Sequence, residues 1–207
     1  MTLTQQEFDA FWNALDRELA SVPLAVTFQR DSFYSQGEWD VLRMQYDSLE
    51  GYRLFAWLSV PNHPKGPSVP VVLRMPDYAS VHDIIYTTLR HDAVVMNATY
   101  RGQRHSDQDI QASYPGLLTV DIGNPGRYLM RRVFGDALRA VDALMGQCKF
   151  HVGPLALLGA SLGATLALAA AARRPAVGAR SPNCSLITLP ETSLTRPRGS
   201  RPSWKGP

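Results

Sequence analysis

The clearest chemistry in the 207-residue sequence lies in the pentapeptide Gly159–Ala160–Ser161–Leu162–Gly163. A serine hydroxyl attacks an acyl carbon only when it is exposed, oriented and served by a base. The pattern G-x-S-x-G answers the first two needs. It lets a strand turn sharply into a helix, with the serine at the apex in a strained conformation and glycines where side chains would collide. The helix start adds a partial positive charge, and the N–H of Leu162 is placed to stabilise an oxyanion. Such a pentapeptide arises by chance in roughly one chain in fifteen of this length, so its flanks decide. The apolar run Leu155 to Leu158 precedes it and ATLALAAAA follows it, which predicts strand, turn and helix in that order. The competing reading is a Gly-rich turn whose serine only caps the helix.

The elements that must hold this serine are legible along the chain. Thr4 and Glu7 have the spacing of a capping box, and Phe8, Phe11, Trp12, Leu15 and Leu19 recur at helical intervals, predicting an amphipathic helix over 5–20. Trp39 to Tyr46 and Tyr52 to Val60 flank the turn-like Ser48–Gly51 and read as a hairpin. After a Pro-rich link, short apolar strands alternate with helices. Val69 to Met75 and Asp92 to Thr99 read as strands around a helix from Val81 to Arg90. Residues 127–147 form the strongest helical segment, with Val133, Phe134, Ala137, Leu138, Val141, Leu144 and Met145 on one face. Pro154 to Leu158 is a buried strand and Ala164 to Ala172 a helix. This order predicts an α/β fold, a mostly parallel sheet with flanking helices. The pattern stops after Arg174. Residues 175–207 hold six Pro among Arg, Ser and Gly, and only Leu186, Ile187 and Leu189 offer a short strand, so a disordered tail is expected. Residues 1–174 then form a domain truncated after the serine helix. The strand before Ser161 would be an edge that only the short segment Ser185 to Leu189 could cover, inviting self-association into a homo-oligomer.

Composition narrows the classes of partner. The formal charge is +3, but Arg173 to Pro207 alone carries six Arg and one Lys against one Glu, so the remainder is acidic. The tail lacks interleaved aromatics apart from Trp204, and a solvated tail rather than a nucleic-acid contact is expected. Cys148 and Cys184 make neither a disulfide framework nor a metal-ligand spacing and read as free thiols. The N-terminus has no signal-peptide core and no run is long enough to span a membrane, so the expectation is a soluble, cytoplasmic protein without metal sites.

The segment from Arg127 to Asp142 resembles the helix that precedes the nucleophile strand in the acetyl xylan esterase and cephalosporin-C deacetylase family of α/β-hydrolases. Tyr100–Arg101–Gly102–Gln103 is similar to that family's R-G-Q signature, and its distance from Ser161 also suits the family. The resemblance runs from about Asp40 to Arg174. It implies a serine carboxylesterase that removes acetyl groups from small carbohydrates or cephalosporin-like compounds without a cofactor. By position, Ser161 would be the nucleophile, and the backbone N–H groups of Leu162 and Tyr78 the oxyanion hole. Gly159 and Gly163 would shape the turn, while Arg101, Gly102 and Gln103 would brace the active-site loops. The chain departs from the family where His-Gly before the tyrosine becomes Pro76–Asp77. Proline lacks an N–H and restricts its predecessor, so a differently shaped oxyanion loop is expected.

The base is the gap. In this fold the triad follows the order Ser, Asp or Glu, His, yet after Ser161 there is no Asp, no His and a single acid, Glu191. The expected result is an esterase by ancestry, impaired or inactive, whose change of composition at Arg174 reads as a truncated or frame-altered end. Two alternatives remain open. One is an active esterase with a rearranged base: His82, or His105 with Asp107 and Asp109 nearby. His63, His91 and His151 read as structural or exposed. The other is a non-catalytic interaction protein that pairs through its incomplete sheet.

Overall fold

The computed structural model describes residues 4–78, 84, 88–107, 110, 116–147, 150–174 and 185–188. Helix α1, Gln5–Ser21, starts at the capping box: Glu7 N–H donates to Thr4 Oγ1 (3.3 Å), and Thr4 N–H to the Glu7 carboxylate (2.9 Å). Its contact with the core is narrower than the apolar spacing suggests. Leu15 and Leu19 are buried, while Phe8 and Phe11 remain on the surface with their edges turned to Trp12. Phe11 also meets the Arg131 guanidinium (5.8 Å), and from Trp12, packed edge-on against Phe134, the helix joins the core.

Strand β1, Thr27–Arg30, lacks any strong apolar alternation and escapes a sequence reading; it is an edge strand beside β2, Trp39–Asp47. Strands β2 and β3, Arg53–Pro61, form the expected hairpin with Trp39 opposite Pro61 and Asp47 opposite Arg53. Next come β4, Val69–Arg74, and β5, Val94–Ala98, then α2, Leu129–Gly146, β6, Val152–Gly159, and α3, Leu162–Arg173. Most of the segment expected to be helical between Val81 and Arg90 lies outside the described residues; Thr88–His91 is a single 3₁₀ turn.

The sheet order is β1-β2-β3-β5-β4-β6-β7. Strands β4, β5, β6 and β7 pair in parallel, β3 runs against β5, and β2 against β3, so all but β1 and β3 point the same way. The mostly parallel α/β sheet is therefore present. The short segment after α3 that could cover the β6 edge forms β7, Ser185–Thr188, which pairs in parallel with β6 from Ala156 to Gly159. The sheet thus continues one strand beyond α3, and the carboxyl half of β6 is not an open edge. The rest of 175–207, with Cys148, Cys184, His82 and Asp109, lies outside the described residues.

The main core fills one face of the sheet beneath α1, α2 and α3, from Leu15 and Leu19 through Val133, Leu138 and Val141 to Leu166 and Ala170. A smaller group, Val41, Phe55, Trp57 and Ile84, covers the other face. Arg174 ties the helices together through Asp16 of α1 (2.7 Å) and Asp142 of α2 (2.6 Å), and Arg173 also pairs with Asp16. Among the described residues no helix is long and apolar enough to cross a membrane.

Candidate active site

Strand β4 lies between β5 and β6, so the chain leaves it toward one neighbour and later returns to the other. In open α/β sheets ligands bind outside the carboxyl ends of the strands at such a reversal. Three loops meet there: Met75–Tyr78 after β4, Thr99–Ser106 after β5, and Ala160–Ser161 after β6.

Ser161 holds φ 50° and ψ −120°, an unfavourable region for a residue with a Cβ, and α3 begins immediately after it. Its side chain is exposed and makes no capping hydrogen bond. A serine kept only as a cap would adopt an extended backbone and bond the first turn; this one does neither. The glycines are fixed by contact. A Cβ on Gly159 would collide with the backbone of Gly163, and one on Gly163 would sit 2.7 Å from Met75 O and 3.0 Å from Pro76 O. Helix α3 therefore presses its first turn directly on the β4 loop.

That pressure sets the neighbouring N–H groups. Pairing between β4 and β6 continues to Met75, whose N–H donates to Leu158 O (2.8 Å), and it stops at Pro76, which has no N–H to offer. The chain then turns so that Tyr78 N–H and Leu162 N–H point at one atom, Asp77 Oδ1, at 2.7 and 3.2 Å. Proline at 76 thus ends the ladder, and the two N–H groups beyond it face one atom. The Tyr78 ring leans over the next loop: a Cβ on Gly116, which has φ +108°, would lie 2.5 Å from the Tyr78 hydroxyl.

The Arg101–Gly102–Gln103 segment braces this arrangement, each residue differently. Gln103 Nε2 donates to Asp77 O (2.9 Å), and its Oε1 accepts from Tyr100 N–H (3.2 Å). Gly102 has φ +85° and no room for a Cβ beside Leu117. Arg101 is buried and meets Asp136 of α2, with Nε and Nη2 each 2.9 Å from a carboxylate oxygen and its backbone N–H at 3.0 Å. Ser48 Oγ donates a further bond to Asp136 (2.6 Å), and Arg101 Nη2 reaches Leu49 O (3.3 Å). Burial alone would favour the neutral guanidine, but the charge and hydrogen bonds of Asp136 outweigh it and hold the Arg101 pKa above its ordinary value.

Asp136 is the supporting residue that a reading of the sequence misses. A signal exists: it stands three residues after Val133 and four before Ala140, inside the buried face of α2. A carboxylate there requires a buried cation. The Asp77 side chain is missed too, because at the sequence level its position registers only as the loss of a glycine.

Of the substitute bases, His105 packs on Phe55 and Trp57 of β3, with ring centroids at 4.6 and 6.2 Å. Strands β5 and β4 separate β3 from β6. At ~4.8 Å per strand this puts His105 about 14 Å from the serine strand, whereas a base must come within about 3 Å. His91 sits edge-on to Trp39, and His151 precedes β6 at the opposite end of the sheet from Ser161. Among the described residues no three His, Cys, Asp or Glu side chains gather where a metal ion could be held.

The family model described as acetyl xylan esterase (AXE1) matches residues 2–186. The chain belongs to the acetyl xylan esterase family. The match extends past the Asp40–Arg174 stretch that carries the sequence resemblance, taking in α1 and the first residues of β7. Acetyl xylan esterase 1 from Thermoanaerobacterium sp. JW/SL YS485 superposes with a TM-score of 0.73 at 22% identity, covering 83% of this chain and 56% of that one. An acetyl xylan esterase from Paenibacillus sp. R4 gives 0.73 at 23% identity, covering 87% and 58%. The fold is that of the α/β-hydrolase esterases, and the chain spans a little over half the length of these acetyl xylan esterases.

Proposed function

We propose that these residues carry the nucleophile and oxyanion half of a serine carboxylesterase acting on acetyl esters of small carbohydrates. The observation that carries this reading is the convergence of Leu162 N–H and Tyr78 N–H on one point beside a strained, exposed Ser161. Two N–H donors directed at a single position are what a tetrahedral intermediate needs as its carbonyl oxygen becomes an oxyanion. In this reading Ser161 Oγ attacks the acetyl carbon, and the Arg101–Asp136 and Gln103–Asp77 contacts keep the loops in register. Gly159 and Gly163 let strand and helix approach closely enough to form the turn.

Turnover also requires a base. No Asp or His follows Ser161, and His105 stands across the sheet. We therefore propose that the described residues do not themselves activate Ser161, and that the histidine and its acid are supplied from elsewhere. A fluorophosphonate, which forms a covalent bond with an activated serine, tests this. Peptide mapping should find slow labelling at Ser161 in preference to the other serines, accelerated when free imidazole supplies a base and absent in Ser161→Ala. Labelling spread evenly over the serines, or none at Ser161 with imidazole present, would overturn the reading.

A further inference from the structure

The point on which the two donors converge is already occupied by the protein itself. Asp77 Oδ1 accepts from Tyr78 N–H at 2.7 Å and from Leu162 N–H at 3.2 Å. We propose that Asp77 is an internal occupant of the oxyanion hole: its carboxylate stands where the ester's acyl oxygen would bind, and the site opens only when this side chain rotates away. The inference rests on reading Leu162 and Tyr78 as oxyanion donors.

The chemistry of the contact supports it. A carboxylate oxygen carries the charge that a tetrahedral intermediate develops, so a hole shaped for that intermediate holds a carboxylate well. The start of α3 adds its partial positive charge to the same point. The contact also differs from an ordinary loop hydrogen bond in what is fixed. The Asp77 carbonyl is pinned by Gln103 Nε2 (2.9 Å) and the Tyr100 hydroxyl (3.3 Å), and Gly163 lies against the carbonyls of Met75 and Pro76. The backbone of the loop is thus held on two sides. The carboxylate is not buried: Asp77 is half-buried and its neighbour Tyr78 is exposed. Opening therefore needs a side-chain rotation, with the donors left where they are. A glycine at this position would leave the hole vacant, so Asp77 converts an open oxyanion site into one that an ester must compete for.

The test needs no turnover, so it stands or falls apart from the role of Ser161. Amide resonances of Leu162 and Tyr78 are followed by NMR in the full chain, in Asp77→Ala and in Asp77→Asn, with Ser161→Ala as a control. Loss of a charge-assisted bond should move both amide protons upfield in Asp77→Ala and part of the way in Asp77→Asn, and leave them in place in Ser161→Ala. Acetate, the probe for the vacated hole, should then shift both amides together in Asp77→Ala. Its affinity should be roughly tenfold or more above that of the unaltered chain, as expected when a competing charged hydrogen bond is removed. Asp77→Asn keeps the size and shape of the side chain and serves if the alanine variant does not fold. Unmoved amides on loss of the carboxylate, movement of only one, or equal response to acetate with Asp77 in place would each overturn the proposal.

Discussion

Two carboxylates near the carboxyl ends of the strands accept backbone N–H groups, and their surroundings give them opposite work. Asp136 is fully buried and takes bonds from Arg101 Nε, Nη2 and N–H and from Ser48 Oγ. Asp77 takes bonds from Tyr78 and Leu162 N–H at a solvent-facing corner. The first has a guanidinium locked against it and no water to compete, so its geometry is part of the fold. The second meets donors that an incoming oxygen could equally satisfy. Packing makes the brace permanent, while the half-buried Asp77 occupies a site that is proposed to be exchangeable.

The largest expected effect falls on the brace. Replacing Asp136 with Ala leaves the buried Arg101 charge with only its longer contact to the exposed Glu50 carboxylate (3.5 Å), which should cost about 3–5 kcal/mol of stability in urea unfolding. A loss no greater than that of a surface substitution would erase the distinction drawn above. At the site the sign reverses. Ser161 holds φ 50°, so Ser161→Gly should relieve strain and raise stability by about 1 kcal/mol while removing the proposed nucleophile. A destabilised glycine variant would mean that the backbone there is not strained.

The smallest effect concerns the ion pairs that hold α3 against α1. Burial pushes the Asp16 carboxyl up, but hydrogen bonds and charge from Arg174 and Arg173 outweigh it and leave its pKa below the ordinary value. A depressed folded pKa stabilises the protein above the unfolded pKa of about 3.9, and that stabilisation is lost as pH falls through the folded value. Asp16→Asn should therefore lower the thermal midpoint at neutral pH by an amount that shrinks below about pH 4. A difference that stays constant down to pH 3 would assign the effect to packing.

What the sequence reveals divides along the same line. The capping box, the hairpin, α2, and the strand–turn–helix around Ser161 depend on local spacing and are legible from residue types. The β1 strand is not, because an exposed edge strand needs no apolar alternation. Nor is β7 beyond a hint: Leu186 and Ile187 sit among prolines, and their pairing with β6 is set by the neighbouring strand. At the site, Ser161, Gly159, Gly163 and the Arg101–Gln103 segment can be picked out by motif. Their partners cannot, since Asp136 lies 35 residues from Arg101 and Asp77 lies 85 from Leu162. Contacts at that separation are fixed by the sheet order and leave no local trace.

The proposed function holds that the described residues assemble a nucleophile and its oxyanion donors without the base that activates them. Hydrolysis of p-nitrophenyl acetate by the pure chain and by Ser161→Ala tests it most directly. The account predicts equal rates, both at the level of the uncatalysed reaction in buffer. Turnover by the chain that disappears in Ser161→Ala would contradict it and would require a base among these residues.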